Sequence, residues 1–244
     1  MKQPKSVRAL RVKIFADGAE KEGMIALAKE SFIKGLTTNP TLMKKAGITD
    51  YAAFAKDILS HIKTKPISFE VFSDDFSEME RQARIINSWG KNIYVKIPIM
   101  NTKKKSSAAL VEKLSRDGIQ LNVTALLTLE QVREAADALS PKTPAIISVF
   151  AGRIADTGHD PRPIMKEAKK ILKRKPNIEL LWASTRELLN IYDAEETGTD
   201  IITVTPDILK KLKLIGYDHH TLSHETVQMF YDDGQKVGYR LYEA

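Results

Sequence analysis

The sequence predicts an α/β chain closed into a (β/α)8 TIM barrel with a helical tail at its C-terminus, and three observations carry that prediction. Short, β-branched apolar runs recur eight times along the 244 residues. They stand about 25 residues apart, room for a strand, a loop, a helix and a second loop, which is what a parallel crossover requires. The segments between them carry helix formers with apolar residues at a 3.6-residue period, and this alternation implies parallel strands joined by helices.

The first run is "VKIFAD" (12–17), and helix-compatible "EKEGMIALAKES" follows it. The second is "GLTTN" (35–39) and the third "PISFEV" (66–71), which leads into "FSEMERQARIINSW". The fourth, "IYVKIP" (93–98), carries a lysine in its middle, and the fifth, "IQLNVT" (119–124), precedes the helical "TLEQVREAADAL". The sixth, "AIISVF" (145–150), comes before "MKEAKKILKRK", and "IELLWA" (178–183) and "IITVTP" (201–206) complete the set. Eight such units fit a closed barrel better than an open doubly wound sheet, and no Gly/Pro/Ser-rich linker divides the chain, so one domain is expected over residues 1–244. A dinucleotide-binding sheet would want G-x-G-x-x-G after its first strand, whereas no two glycines here are separated by a single residue. Residues from about 216 to 244 exceed what one closing helix needs. They are expected to cover a barrel face or dock on a neighbouring subunit.

Composition narrows the function classes. The 43% hydrophobic content supports an ordinary globular core. No apolar run reaches the length of a membrane span, and the start "MKQPKSVRAL" is polar and basic, so a soluble cytoplasmic location without membrane contact is expected. The absence of cysteine removes disulfides, thiolate nucleophiles and thiolate metal sites together. The net charge of +7 raises nucleic acid as a partner, but "KKILKRKP" (169–176) and "ILKKLKL" (208–214) interleave Lys with Ile and Leu at helical spacing without aromatic residues to stack bases. Solvated helix faces are the better reading, and no nucleic-acid partner is expected. His220 and His224 lie i, i+4 beside Glu225, yet there is no H-E-x-x-H and no third ligand, so no metal is expected. His159 falls in a loop near the expected barrel mouth.

In a barrel the reacting groups collect at the C-terminal ends of the strands. Strand one ends in Asp17, strand two runs into Asn39, strand three has Glu70, strand four Lys96 and strand five Asn122 and Thr124. Strand six has Ser148 followed by Arg153, and strand seven leads to Ser184 and Arg186. Polar groups at the same end of seven strands are hard to explain as packing. A lysine surrounded by apolar strand residues has its charged form destabilised, which favours the free amine that attacks a carbonyl. The competing reading is a core lysine paired with Glu70 or Asp17 for structural reasons alone, and the accompanying polar set favours chemistry over it.

"GLTTNPTL" (35–42) resembles the first transaldolase signature, and "VKIP" (95–98) resembles the segment around that family's Schiff-base lysine. "FADGA", "SFEV", "LNVTALLT", "SVFAGRI" and "WASTRE" are similar to the family in the same order, so the likeness spans about residues 12 to 240. The family comprises transaldolases and fructose-6-phosphate aldolases. The resemblance implies a barrel that forms a lysine imine with a ketose phosphate, then hands dihydroxyacetone from a donor such as sedoheptulose 7-phosphate or fructose 6-phosphate to an aldose phosphate. It implies Lys96 as nucleophile, Glu70 and Thr124 holding a catalytic water, and Asp17 taking the C4 hydroxyl proton. Asn39, Asn122 and Ser148 would bind the dihydroxyacetone hydroxyls, with Ser184 beside them, and Arg153 and Arg186 the phosphate. The protonated imine is the electron sink, so no cofactor is implied.

Glu70 and Phe150 stand where aldolase-type members have Gln and Tyr, which points to transfer rather than direct release. The loops 99–107 and 155–161 depart from the small-family pattern, leaving the donor and acceptor sugars open. Fructose-6-phosphate aldolase-like cleavage or synthesis, a variant ketose and a non-catalytic sugar-phosphate-binding barrel remain the alternatives. The tail resembles the helix through which small members assemble, implying a homo-oligomer of unfixed number, a decamer among the options.

Overall fold

The computed structural model describes residues 4–242; residues 1–3 of the polar start and 243–244 of the tail lie outside it. Eight strands pair in parallel in chain order and close into a barrel. They are β1 (Lys13–Asp17), β2 (Ile33–Thr37), β3 (Ile67–Glu70), β4 (Ile93–Pro98), β5 (Leu121–Leu126), β6 (Ala145–Val149), β7 (Ile178–Trp182) and β8 (Ile201–Val204). The first helices are α1 (Lys21–Lys29), α2 (Pro40–Lys45), α3 (Tyr51–His61), α4 (Phe76–Asn87), α5 (Ala108–Arg116) and α6 (Leu129–Ala138). They are followed by α7 (Ala151–Ala155), α8 (Arg162–Leu172), α9 (Leu189–Thr197), α10 (Pro206–Leu209) and α11 (His219–Val237).

Strand alternation divides the apolar residues into two sets. Ile14, Ala16, Phe69, Val95, Ile97, Val123, Ile147 and Leu180 belong to the large core under the helices. Phe15, Ile146, Leu181, Ala183 and Ile201 form a separate cluster that fills the barrel itself. Phe15 needs Gly35 opposite it on β2, because a Cβ at that position would lie 2.5 Å from the ring. With the lower barrel plugged, polar groups at the other end line a cavity rather than a pore.

Two strands are displaced from the sequence reading, and one of them is β5, which covers 121–126 rather than 119–124. Strand β2 covers 33–37 rather than 35–39. The reason is local: the Asn39 side chain accepts from the Leu42 N–H at 3.0 Å as an N-cap, and Pro40 opens α2 at the position where a missing N–H costs nothing. Caps of the same kind start α3 at Asp50 and α4 at Asp75, while Thr128 and Gln131 form a reciprocal capping box on α6. The tail is helical as expected, and α11 is a single helix with none of its residues buried.

Lysines on α8 and in the turn after it are laced with acids. Lys166 meets Glu196 at 3.1 Å, Lys169 meets Asp200 at 2.6 Å and Lys175 meets Asp137 at 3.3 Å. Among the described residues no helix is long and apolar enough to cross a membrane.

Candidate active site

At the C-terminal ends of the strands lies a cavity of about 520 Å³. All ten residues singled out from the sequence line it: Asp17, Asn39, Glu70, Lys96, Asn122, Thr124, Ser148, Arg153, Ser184 and Arg186. Register explains the assembly. Glu70 pairs with Lys96 across β3 and β4, Lys96 with Asn122 across β4 and β5, and Pro98 with Thr124. Residues that pair in register share a face, so one choice of parity aims the strand-borne members of the set into the barrel mouth, while Asn39, Arg153, Ser184 and Arg186 reach it from beyond the strand ends.

Lys96 is 6% exposed, but its surroundings are not purely apolar. Its Nζ lies 3.0 Å from Glu70 Oε2 and donates to the Thr38 carbonyl at 3.0 Å. A buried ammonium is tolerable because it is paired and hydrogen-bonded on both sides. Beside it, Asn122 donates to Ser68 Oγ at 3.1 Å, and Ser148 donates to Asn122 Oδ1 at 2.6 Å, so the amide orientation is fixed from both ends. The Thr124 hydroxyl is buried and has no hydrogen-bond partner among the described residues.

Asp17 closes β1 and accepts a 2.8 Å hydrogen bond from Thr37, whose hydroxyl also meets that of Thr203 on β8. Burial pushes the Asp17 carboxyl above the usual carboxylate range, and the Glu70 charge adds to this. The Lys96 charge and the Thr37 hydrogen bond pull in the other direction. Raised basicity is what a group that accepts a proton from a hydroxyl requires.

Cations outnumber carboxylates around the cavity. Lys45, Lys96, Arg153 and Arg186 stand against Asp17 and Glu70 among the lining residues, an imbalance that favours an anionic ligand. The Arg153 guanidinium sits 5.7 Å over the Phe150 ring. Arg186 donates from Nε to Asp156 Oδ1 at 2.9 Å and from a second nitrogen to Oδ2, and this bidentate contact holds the Asp156 carboxyl below its ordinary value. The fork that remains on Arg186 is thereby oriented. Two lining residues without glycine's freedom adopt the left-handed region, Ala125 at φ 65° and Ser184 at φ 64°.

Sequence reasoning missed Thr37, Ser68 and Thr203, which share strand parity with the residues it found, and parity was the available signal. It also missed Lys45 and Asp156, which reach the site from helix ends and loops. His159 is exposed and its Nδ1 lies 3.0 Å from the Thr157 hydroxyl. His220 and His224 are exposed on α11. Among the described residues no cluster of three or more His, Cys, Asp or Glu is placed to hold a metal ion.

Among solved structures, the chain aligns with 2,3-dimethylmalate lyase at a TM-score of 0.53 and 13% identity, covering 98% of this chain and 88% of that one. It aligns with the tryptophan synthase α subunit of Campylobacter jejuni at 0.55 and 17%, covering 87% and 92%. These likenesses concern the barrel fold. Sequence relatives come nearer. A probable transaldolase of Dehalococcoides mccartyi is 31% identical over 227 residues, spanning 93% of this chain and 99% of the relative. One from Nitrosopumilus maritimus is 30% identical with 93% and 96% covered, and one from a Thermoanaerobacter species is 32% identical with 94% and 100% covered. The family model described as transaldolase/fructose-6-phosphate aldolase matches residues 14–241, and with the site geometry beside it the chain belongs to that family.

Proposed function

We propose that the chain is a transaldolase that works through an imine on Lys96, moving a dihydroxyacetone unit from a ketose phosphate to an aldose phosphate. The observation that carries this reading is the Lys96–Glu70 contact at 3.0 Å on the floor of a cavity rimmed by Arg153 and Arg186. Glu70 is placed to take a proton from Lys96, leaving the amine to attack the C2 carbonyl of the donor. The carbinolamine then loses its hydroxyl as water, with Glu70 and Thr124 moving the proton through a bound water, and the iminium forms. Asp17 takes the proton of the C4 hydroxyl, the C3–C4 bond breaks, and its electron pair moves into the iminium to give an enamine. The departing aldose phosphate is replaced by the acceptor aldehyde, which C3 attacks as Asp17 returns its proton. Hydrolysis of the imine releases the product.

Asn122 and Ser148, locked to one another, would hold the dihydroxyacetone hydroxyls with Asn39, and the two arginines the phosphate, so both half-reactions use one geometry. Glu70 and Phe150 favour transfer to an acceptor over release to water. A cytoplasmic place in pentose phosphate metabolism goes with this reading, as does assembly of several copies through the tail. Borohydride trapping with dihydroxyacetone or fructose 6-phosphate, followed by peptide mapping, tests it. The expected adduct is on Lys96, and erythrose 4-phosphate should discharge the untrapped intermediate. Lys96→Ala should abolish both adduct and turnover, a loss of at least about 10³-fold, while the protein stays folded; turnover in that variant would refute the mechanism.

A further inference from the structure

Tyr51, the first residue of α3, makes a contact that the reaction scheme does not use. Its hydroxyl donates to the Glu70 carbonyl at 2.8 Å and accepts from the Glu70 N–H at 2.8 Å. Sheet register explains why a side chain is needed there. Strand β2 pairs with β3 at Leu36↔Ile67 and Thr37↔Ser68, and the ladder's last bond runs from Thr38 N–H to the Ser68 carbonyl at 3.1 Å. One further step of a parallel ladder would join the Glu70 N–H to the Thr38 carbonyl and the Glu70 carbonyl to the N–H of residue 40. Residue 40 is Pro40, which has no N–H. The Thr38 carbonyl is engaged as well, because it accepts from Lys96 Nζ at 3.0 Å. Without Tyr51 both backbone groups of Glu70 would therefore lack partners.

We propose that Tyr51 is a positioning residue for the Lys96–Glu70 pair: its hydroxyl takes over the missing rung of the ladder, fixes Glu70, and leaves the Thr38 carbonyl to hold the lysine. The inference rests on the reading of Lys96 as the imine-forming amine. The tyrosine ring is itself held, packed edge-on against Phe69 with centroids 6.3 Å apart and tilted against Phe72 and Trp89 at 5.4 and 6.1 Å. Burial pushes the phenol well above the ordinary tyrosine value, so it keeps the proton it donates. A group locked by aromatic packing on one side and by two hydrogen bonds on the other transmits little play to its neighbour.

The test is a double-mutant cycle of Tyr51→Phe and Glu70→Gln, read as the rate of borohydride-trapped imine with dihydroxyacetone and as kcat and KM with fructose 6-phosphate and an aldose phosphate acceptor. Y51F keeps the ring and removes only the hydroxyl. Its imine rate and kcat should fall about 10- to 100-fold, the range for a misplaced catalytic group. KM should change by less than about threefold, since Tyr51 is not among the residues that line the cavity with the two arginines. In the E70Q background, where the carboxylate is gone, the same substitution should cost less than about threefold. Equal rates for Y51F and the native chain, or an equal loss in both backgrounds, would overturn the proposal, the second outcome marking a merely structural tyrosine. Incorporating 4-aminophenylalanine at 51 restores a donor and an acceptor at the same place. That protein should lie within about threefold of native, and a folded protein as slow as predicted for Y51F would also overturn the assignment. Native protein that gives no adduct on Lys96 defeats the imine reading itself, so the two failures are distinguishable.

Discussion

Asp17 is where the site's electrostatics can be read most directly. Its carboxyl is raised by burial in the folded protein, so ionising it opposes folding. An acid whose folded value is raised contributes stability below its unfolded value and loses that contribution as pH rises through the folded one. Asp17→Asn keeps an acceptor for the Thr37 hydroxyl and cannot ionise. We therefore expect this variant to have a higher Tm than the native protein at pH 7 to 8, a difference that narrows as pH falls through the raised value of the folded protein towards the ordinary carboxylate value near 4, below which it vanishes. Turnover should fall by about 10²-fold or more, the contribution of a general base. Paired thermal scans across pH check the first part, and an unchanged or lowered Tm at neutral pH would show that the ionised form is well accommodated. The chain spelled out Asp17, Glu70 and Lys96 because each stands at a fixed parity from a strand end. It did not spell out that Lys96 is paired on both sides, since Thr38 and Glu70 meet it only when β2, β3 and β4 are side by side. Tyr51 and Asp156 were invisible for the same reason: their partners, 19 and 30 residues away, are reached through loops.

At the scale of elements, close backbone approaches decide where the rim residues sit. A Cβ on Gly152 would fall 1.6 Å from the Ser184 carbonyl oxygen, too close for any side chain to be accommodated without a backbone shift. Helix α7, which carries Arg153, is thus pressed against the turn after β7 that leads to Arg186, and Ser184 takes a positive φ at the contact. Gly152→Ala should cost about 1–3 kcal/mol of stability. It should also raise KM for phosphorylated donors about tenfold or more while unphosphorylated dihydroxyacetone still traps on Lys96. Denaturant melts and trapping rates for the two kinds of donor measure this; KM unchanged despite lost stability would uncouple the α7 contact from phosphate binding. The strand runs were readable because barrel strands are apolar on both faces, and six of eight runs coincide closely with strands. Of the other two, β5 begins two residues after its run, and β2 was displaced by the attraction of "TTN" as strand residues, where Asn39 serves instead as the cap of α2.

For the molecule as a whole, α11 is the element that the barrel leaves unexplained. It runs 19 residues with nothing buried, although Leu222, Met229, Phe230 and Val237 fall along one side of it and Val227 and Tyr231 extend the apolar surface. Phe230 is 66% exposed and Tyr231 62%. An apolar surface of this breadth on a separate helix is typical of a contact between subunits, one of the two roles that the length of the tail allows. The expected assembly is a homo-oligomer in which α11 of one copy is covered by another. Sedimentation velocity should show the native chain as one species larger than 27.4 kDa. Met229→Asp with Phe230→Asp places two charges in that surface. Because neither side chain contributes to the barrel core, the double variant should sediment as a folded monomer with an unchanged far-UV spectrum. Unchanged sedimentation of the double variant would move the contact elsewhere, and a monomeric native chain would leave α11 without a partner of its own kind.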